Sequence, residues 1–88
     1  MTEIELQKKI QSVIVQVADK EMGMDTHLLS DKAGISMEDF LYVFRELREE
    51  LQCPVSKSLE HRNYMVFTIR GLADAFLEDW PELHEFPG

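Results

Sequence analysis

The sequence predicts an all-α fold, a small bundle of three or four helices, and three observations predict it. Apolar residues recur at helical spacing in three separate stretches, and each stretch is preceded by a residue able to cap a helix. The one strand-like stretch, Tyr64 to Phe67, has no second strand to pair with, so a short helix or irregular loop ranks first there. At 88 residues the chain makes one domain, 1–88, with a single modest core.

The elements follow in order. Thr2 followed three residues later by Glu5 reads as a capping box, and Leu6, Ile10, Val13, Ile14 and Val17 mark a first helix running to about Lys20. Gly23, Asp25 and Thr26 break that pattern and open a connection that runs to Gly34, with Leu28 and Leu29 expected to tuck into the core. From Met37, the residues Phe40, Leu41, Phe44, Leu47 and Leu51 form the strongest helical stripe, stopping before Pro54. A short helix is expected around Leu59, beside a small basic island of Lys57, His61 and Arg62. Thr68 caps a last helix with Ile69, Leu72, Ala73 and Phe76 inside, and Pro81 ends it; Trp80 can extend its apolar face. Gly71 weakens that helix by about 1 kcal/mol relative to alanine unless a neighbour needs the close approach. One core of Val13, Val17, Leu29, Phe40, Leu41, Phe44, Leu47, Leu51, Ile69, Leu72 and Phe76 is therefore expected.

Charge narrows the function. Seventeen acidic against nine basic side chains give a formal charge of −8, which repels phosphate backbones and anionic lipid headgroups. Nucleic acid and membrane are thus not expected as partners. No apolar run approaches the roughly 20 residues of a membrane span, and Met1 to Lys9 lacks a signal-peptide layout, so a cytoplasmic location is expected. Cys53 is the only cysteine and reads as a buried or neutral thiol. The three histidines, His27, His61 and His84, have no metal-ligand spacing and read as surface or boundary residues. No Ser-His or Cys-His spacing points to catalysis, so the expectation is a protein that is not an enzyme.

The stretch from Leu28 to Leu51, LLSDKAGISMEDFLYVFRELREEL, resembles the loop, Gly-x-Asp-Ser-Leu motif and recognition helix of acyl and peptidyl carrier proteins. The later VFTIRGLADAF, Val66 to Phe76, is similar to that family's closing helix, and with the first helix the similarity spans roughly residues 3 to 78. The resemblance implies a helical bundle that carries an acyl or aminoacyl group as a thioester on 4'-phosphopantetheine. It also implies a phosphopantetheinyl transferase and acyl- or aminoacyl-handling enzymes with basic patches as partners. Residues 80–88, with Trp80, Leu83 and Phe86, form a C-terminal extension beyond it, expected either to fold back over the bundle or to dock a partner.

Within the resemblance Ser36 is the candidate attachment site, flanked by Gly34 and Met37. A serine at a helix N-terminus suits an attached phosphate, because unsatisfied N–H groups and the helix dipole stabilise negative charge there. Met37, Glu38, Asp39, Glu46, Glu49 and Glu50 are the expected partner-binding residues, the carboxylates steering the carrier onto basic surfaces. Ser36 with Asp39 three residues on also reads as a simple N-cap. Ile35 stands where the family places an aspartate. Equating Ser36 with the motif serine assigns the family's core positions to Phe40, Val43, Glu46 and Glu50, which would bury two carboxylates at several kcal/mol. A shift of one residue assigns them to Leu41, Phe44, Leu47 and Leu51 and puts Met37 at the serine position; one extra residue in the entry loop would reconcile the two. Two functions follow: a carrier modified at Ser36, or a carrier-related adaptor that binds enzymes without the arm.

Overall fold

A computed structural model describes residues 1–85, and the domain they form is all-helical. Three α-helices, α1 (Glu3–Ala18), α2 (Met37–Leu51) and α3 (Ile69–Asp79), are accompanied by 3₁₀ turns, two of them between α2 and α3 at Val55–Leu59 and Tyr64–Val66 and one after α3 at Pro81–Glu85. Among the described residues there is no strand; Tyr64–Val66 is a 3₁₀ turn whose opening residue, Asn63, accepts a bond from the Met65 amide with its side chain.

Each α-helix begins where its capping chemistry sits. Thr2 and Glu5 form a reciprocal box at α1, and the Thr2 amide first, then the Thr2 hydroxyl, hold the Glu5 carboxyl below its ordinary pKa. Thr68 Oγ1 accepts from the Gly71 amide at 2.8 Å to open α3, and Trp80 caps its other end. At the far ends of α1 and α2, Asp19 and Gln52 take left-handed backbone (φ 56° in both), stopping each helix without a glycine.

α1 lies at the centre, packed against both α2 and α3, and the first 3₁₀ turn is wedged between α2 and α3. Leu6, Ile10, Val13 and Ile14 of α1 meet Phe40, Val43, Leu47 and Leu51 of α2 and Ile69, Leu72, Ala73 and Phe76 of α3 in one core. Val55 from the wedge and Leu28 from the long connection join it.

Four core expectations change. Leu28 is buried but Leu29 is 42% exposed. The Leu28 amide bonds the Phe67 carbonyl at 2.7 Å while a turn closes from His27 to Ser30, so the adjacent leucines point opposite ways. In α2 the buried phase is Phe40, Val43, Leu47 and Leu51; Leu41 is 66% exposed and Phe44 only half-buried. Val17 is likewise half-buried, packed at the edge of the core. Helix α2 thus follows neither expected register along its length: it starts in the phase of Phe40 and Val43 and finishes in that of Leu47 and Leu51. Spacings of three, four and four residues keep one face inward, which leaves Glu46 half-exposed and Glu50 exposed with no carboxylate buried.

The C-terminal segment folds back. Leu83 is fully buried, Trp80 packs against the core, and the Met1 ammonium donates to the His84 carbonyl at 2.7 Å. Phe86 lies outside the described residues.

Candidate functional site

The entry to α2 is built from the left-handed turn at Gly34 (φ +64°), where only glycine is unstrained. The Lys20 ammonium donates to the Gly34 carbonyl at 2.7 Å, placing a cation beside the turn. Ile35 then anchors the chain by packing against the core, half-buried. Ser36 follows as the N-cap: its exposed Oγ accepts from the Asp39 amide at 3.1 Å, and its carbonyl accepts from the Phe40 amide at 3.0 Å. Only one arm of a capping box is present here, unlike α1, because no return bond from the Asp39 side chain joins it.

The surface of α2 divides into two flanks either side of its buried stripe. On the α1 flank Asp39, Tyr42 and Glu46 line an open groove of about 390 Å³ together with Gln16 and Val17. Glu50 lies further along and reaches Lys9 of α1 at 3.7 Å. Glu38 and Glu49 point to water, Glu49 lying 3.8 Å from Arg45 one turn earlier. Of the expected partner-binding residues, then, Asp39 and Glu46 share one groove with Glu50 beyond it. Glu38 and Glu49 belong to the outermost stripe, and Met37, 70% exposed, belongs to the other flank.

That other flank carries Leu41, Phe44, Arg45 and Arg48, which with Ser56 line a second open groove of about 370 Å³. Phe44 is held there by stacking on Phe40 (centroids 6.1 Å) and by an edge contact with Phe67 (6.4 Å). Sequence reading missed this groove. Its signal is the i, i+4, i+7 spacing of Leu41, Arg45 and Arg48, legible only once Val43 is known to be buried.

A polar cluster at the opposite end was also missed. Ser58, buried in the wedge, donates to Asp79 at the end of α3, and Arg62 reaches Asp79 at 3.0 Å and the Ser58 carbonyl at 3.1 Å. The Ser58 hydroxyl first, then the Arg62 guanidinium and His61 at 3.7 Å, hold the Asp79 carboxyl below its ordinary pKa. Serine and histidine both address the same carboxylate, so no base stands ready to take the serine proton; the cluster ties elements together. It also corrects the basic island, since Arg62 is neutralised by Asp79 and Glu78.

Cys53 is buried against the core, and that burial, with Glu82 nearby, pushes its thiol pKa up. Among the described residues no three metal-binding side chains converge, and no helix is long and apolar enough to cross a membrane.

No protein-family model, curated protein or solved structure matches the chain. The site therefore rests on geometry: an exposed serine capping an acidic helix at one corner of a small all-helical domain.

Proposed function

We propose that the protein is a carrier-like module that presents an acyl or aminoacyl group to partner enzymes, with Ser36 as the attachment point. The observation that carries the reading is the position of Ser36 Oγ. It is exposed, it sits at the positive end of α2, and the Lys20 ammonium lies on the neighbouring turn.

The residues at this corner fit a phosphopantetheine arm. Ser36 would hold the phosphodiester, the first turn of α2 and Lys20 would face its negative charge, and Gly34, lacking a Cβ, leaves the room that the Lys20 ammonium fills beside the turn. When bound, such an arm supplies a terminal thiol that holds cargo as a thioester. The chain's own part is to present that position and to guide docking: Asp39 and Glu46 draw the basic surface of a partner toward α2, and Glu38 and Glu49 extend the negative field along the helix.

One observation favours the adaptor reading, in which the chain docks enzymes without an arm. Ile35 is half-buried where the family resemblance would place a water-facing aspartate, so a transferase meets an apolar anchor instead of a carboxylate. The deciding experiment is the intact mass of the protein after co-expression with a permissive phosphopantetheinyl transferase. A mass gain that disappears in Ser36→Ala supports the carrier; an unchanged mass with excess transferase moves the function to the adaptor.

A further inference from the structure

We propose that the groove formed by Leu41, Phe44, Arg45, Arg48 and Ser56 is a docking site for an acidic peptide segment of a partner protein, one that carries an apolar side chain between carboxylates. This goes beyond the reading above: it requires no modification of Ser36, and it uses the flank of α2 whose charge is opposite to the acidic one.

The groove is an anomaly in the sequence's own terms. A water-facing helix flank ordinarily carries polar residues, yet Leu41 is 66% exposed and Phe44 presents part of its ring beside it. In a chain of formal charge −8, the groove is bordered by two guanidinium groups. Arg45 reaches Glu49 only at 3.8 Å, with both side chains more than half exposed, so that contact holds it weakly. Among the described residues no carboxylate pairs with Arg48.

Those features define the occupant. Apolar surface at Leu41 and Phe44 calls for an apolar group to cover it, and arginine favours planar carboxylates that accept two parallel N–H bonds. The groove is open on one side, which suits a side chain delivered by a polypeptide better than an engulfed small molecule. A phosphate backbone or an anionic bilayer is an extended anion that meets the whole negative field of the chain, whereas a short acidic segment sits within about 10 Å of the two arginines, inside the screening length. A second copy of the chain brings another eight negative charges, which opposes self-docking at low salt.

The test starts from selection of random dodecapeptides on the immobilised full chain. The selected sequences are expected to be enriched in Asp and Glu around one apolar residue. A synthetic peptide of the leading sequence should bind in fluorescence anisotropy, weaken with added salt, and perturb the amide resonances of Leu41, Phe44, Arg48 and Ser56. Affinity should fall at least about tenfold in R45E/R48E and in Leu41→Asn. All three changes are at exposed positions, so the helical signal should be retained. A peptide with lysines in place of its carboxylates should bind R45E/R48E more tightly than it binds the parent and perturb the same groove resonances, which shows that the groove is retained and that charge sets the choice. The proposal is overturned if the library yields no binder, if the binders are basic or uncharged, or if R45E/R48E leaves their affinity unchanged. Self-association in sedimentation that Leu41→Asn abolishes would make a second copy the occupant and overturn it equally.

Discussion

The Val66 carbonyl oxygen stands where a Cβ on residue 71 would come within 2.6 Å of it, and Thr68 Oγ1 would lie at 3.0 Å. Gly71 is thus the residue that lets the second 3₁₀ turn close against the first turn of α3, while its amide completes the Thr68 cap. Helix propensity alone favours Gly71→Ala by about 1 kcal/mol. The contact reverses that sign, since a backbone carbonyl cannot swing aside as a flexible side chain can. Gly71→Ala is expected to destabilise by about 1–3 kcal/mol. A denaturant midpoint at or above wild type would show that the turn gives way freely.

Ser58 and Asp79 make the pH dependence of stability legible. Asp79 titrates below its ordinary range in the folded state, so its contribution is present above the unfolded carboxylate pKa. It is lost as pH falls through the lower, folded value. Asp79→Asn keeps the size but removes the charge that Arg62 and Ser58 recognise. The variant should melt below wild type at neutral pH, and the difference should shrink steadily as the pH falls below the normal carboxylate range. A gap that stays constant into acid would mean that the charge of Asp79 contributes nothing.

The phase of α2 separates two residues that look alike in sequence. Leu47→Ala should cost about 2–5 kcal/mol, because Leu47 is fully buried, whereas Leu41→Ala should fall within about 0.5 kcal/mol of wild type. Chemical denaturation of the two variants checks this directly. A large loss at Leu41 with little at Leu47 would put the helix a residue out of phase.

These pairs mark what could be read from the chain without coordinates. Helix positions were legible because their caps are local chemistry: Thr2, Ser36 and Thr68 each stand at the expected start, and each accepts from the amide three residues on. Which apolar residues of α2 face inward was not, because Phe40, Leu41, Val43, Phe44 and Leu47 offer two overlapping stripes. The choice between them is made by α1 and Phe67, which lie far away in sequence. Leu28 and Leu29 pose the same problem in a loop, where a tertiary bond to Phe67 decides and no periodicity exists. The Ser58–Asp79 link spans 21 residues and left no local signal. At the candidate site the serine was legible as a cap, whereas Lys20 at the Gly34 carbonyl was not.

The C-terminal segment is structural by its packing. Leu83 is wholly buried and the Met1 ammonium donates to the His84 carbonyl, so the start of the chain meets the last 3₁₀ turn. Deleting residues from Pro81 onward should lower the melting temperature, and Leu83→Ala alone should cost about 2–5 kcal/mol. Should melting be unchanged in both while partner binding is lost, the segment is a docking element instead.

Ser36 caps α2, and substitutions at this position separate that role from the proposed one as attachment point. Ser36→Ala removes both and should cost about 1 kcal/mol. Ser36→Asp keeps a side-chain oxygen for the Asp39 amide and adds favourable charge at the start of α2, so it should match or exceed wild-type stability while accepting no arm. Stability thus reads the cap, and intact mass reads the attachment. Ile35→Asp addresses the missing carboxylate. In the proposed attachment the serine oxygen would bond to one phosphorus of a pyrophosphate donor near the transferase's metal ion, breaking the P–O–P bond and releasing the other phosphate with the rest of the donor. The hydroxyl proton would pass to a base of the transferase, and an adjacent acid would help to orient that encounter. Because Ile35 packs half-buried against the core, the substitution also removes apolar contact, and the variant's helical signal and melting must be followed beside its mass. A folded Ile35→Asp protein should be modified faster than wild type by a promiscuous transferase. If that protein gains no mass even with transferase in excess, Ser36 is a cap alone, and the acidic flank of α2 is left to carry the function as an adaptor surface.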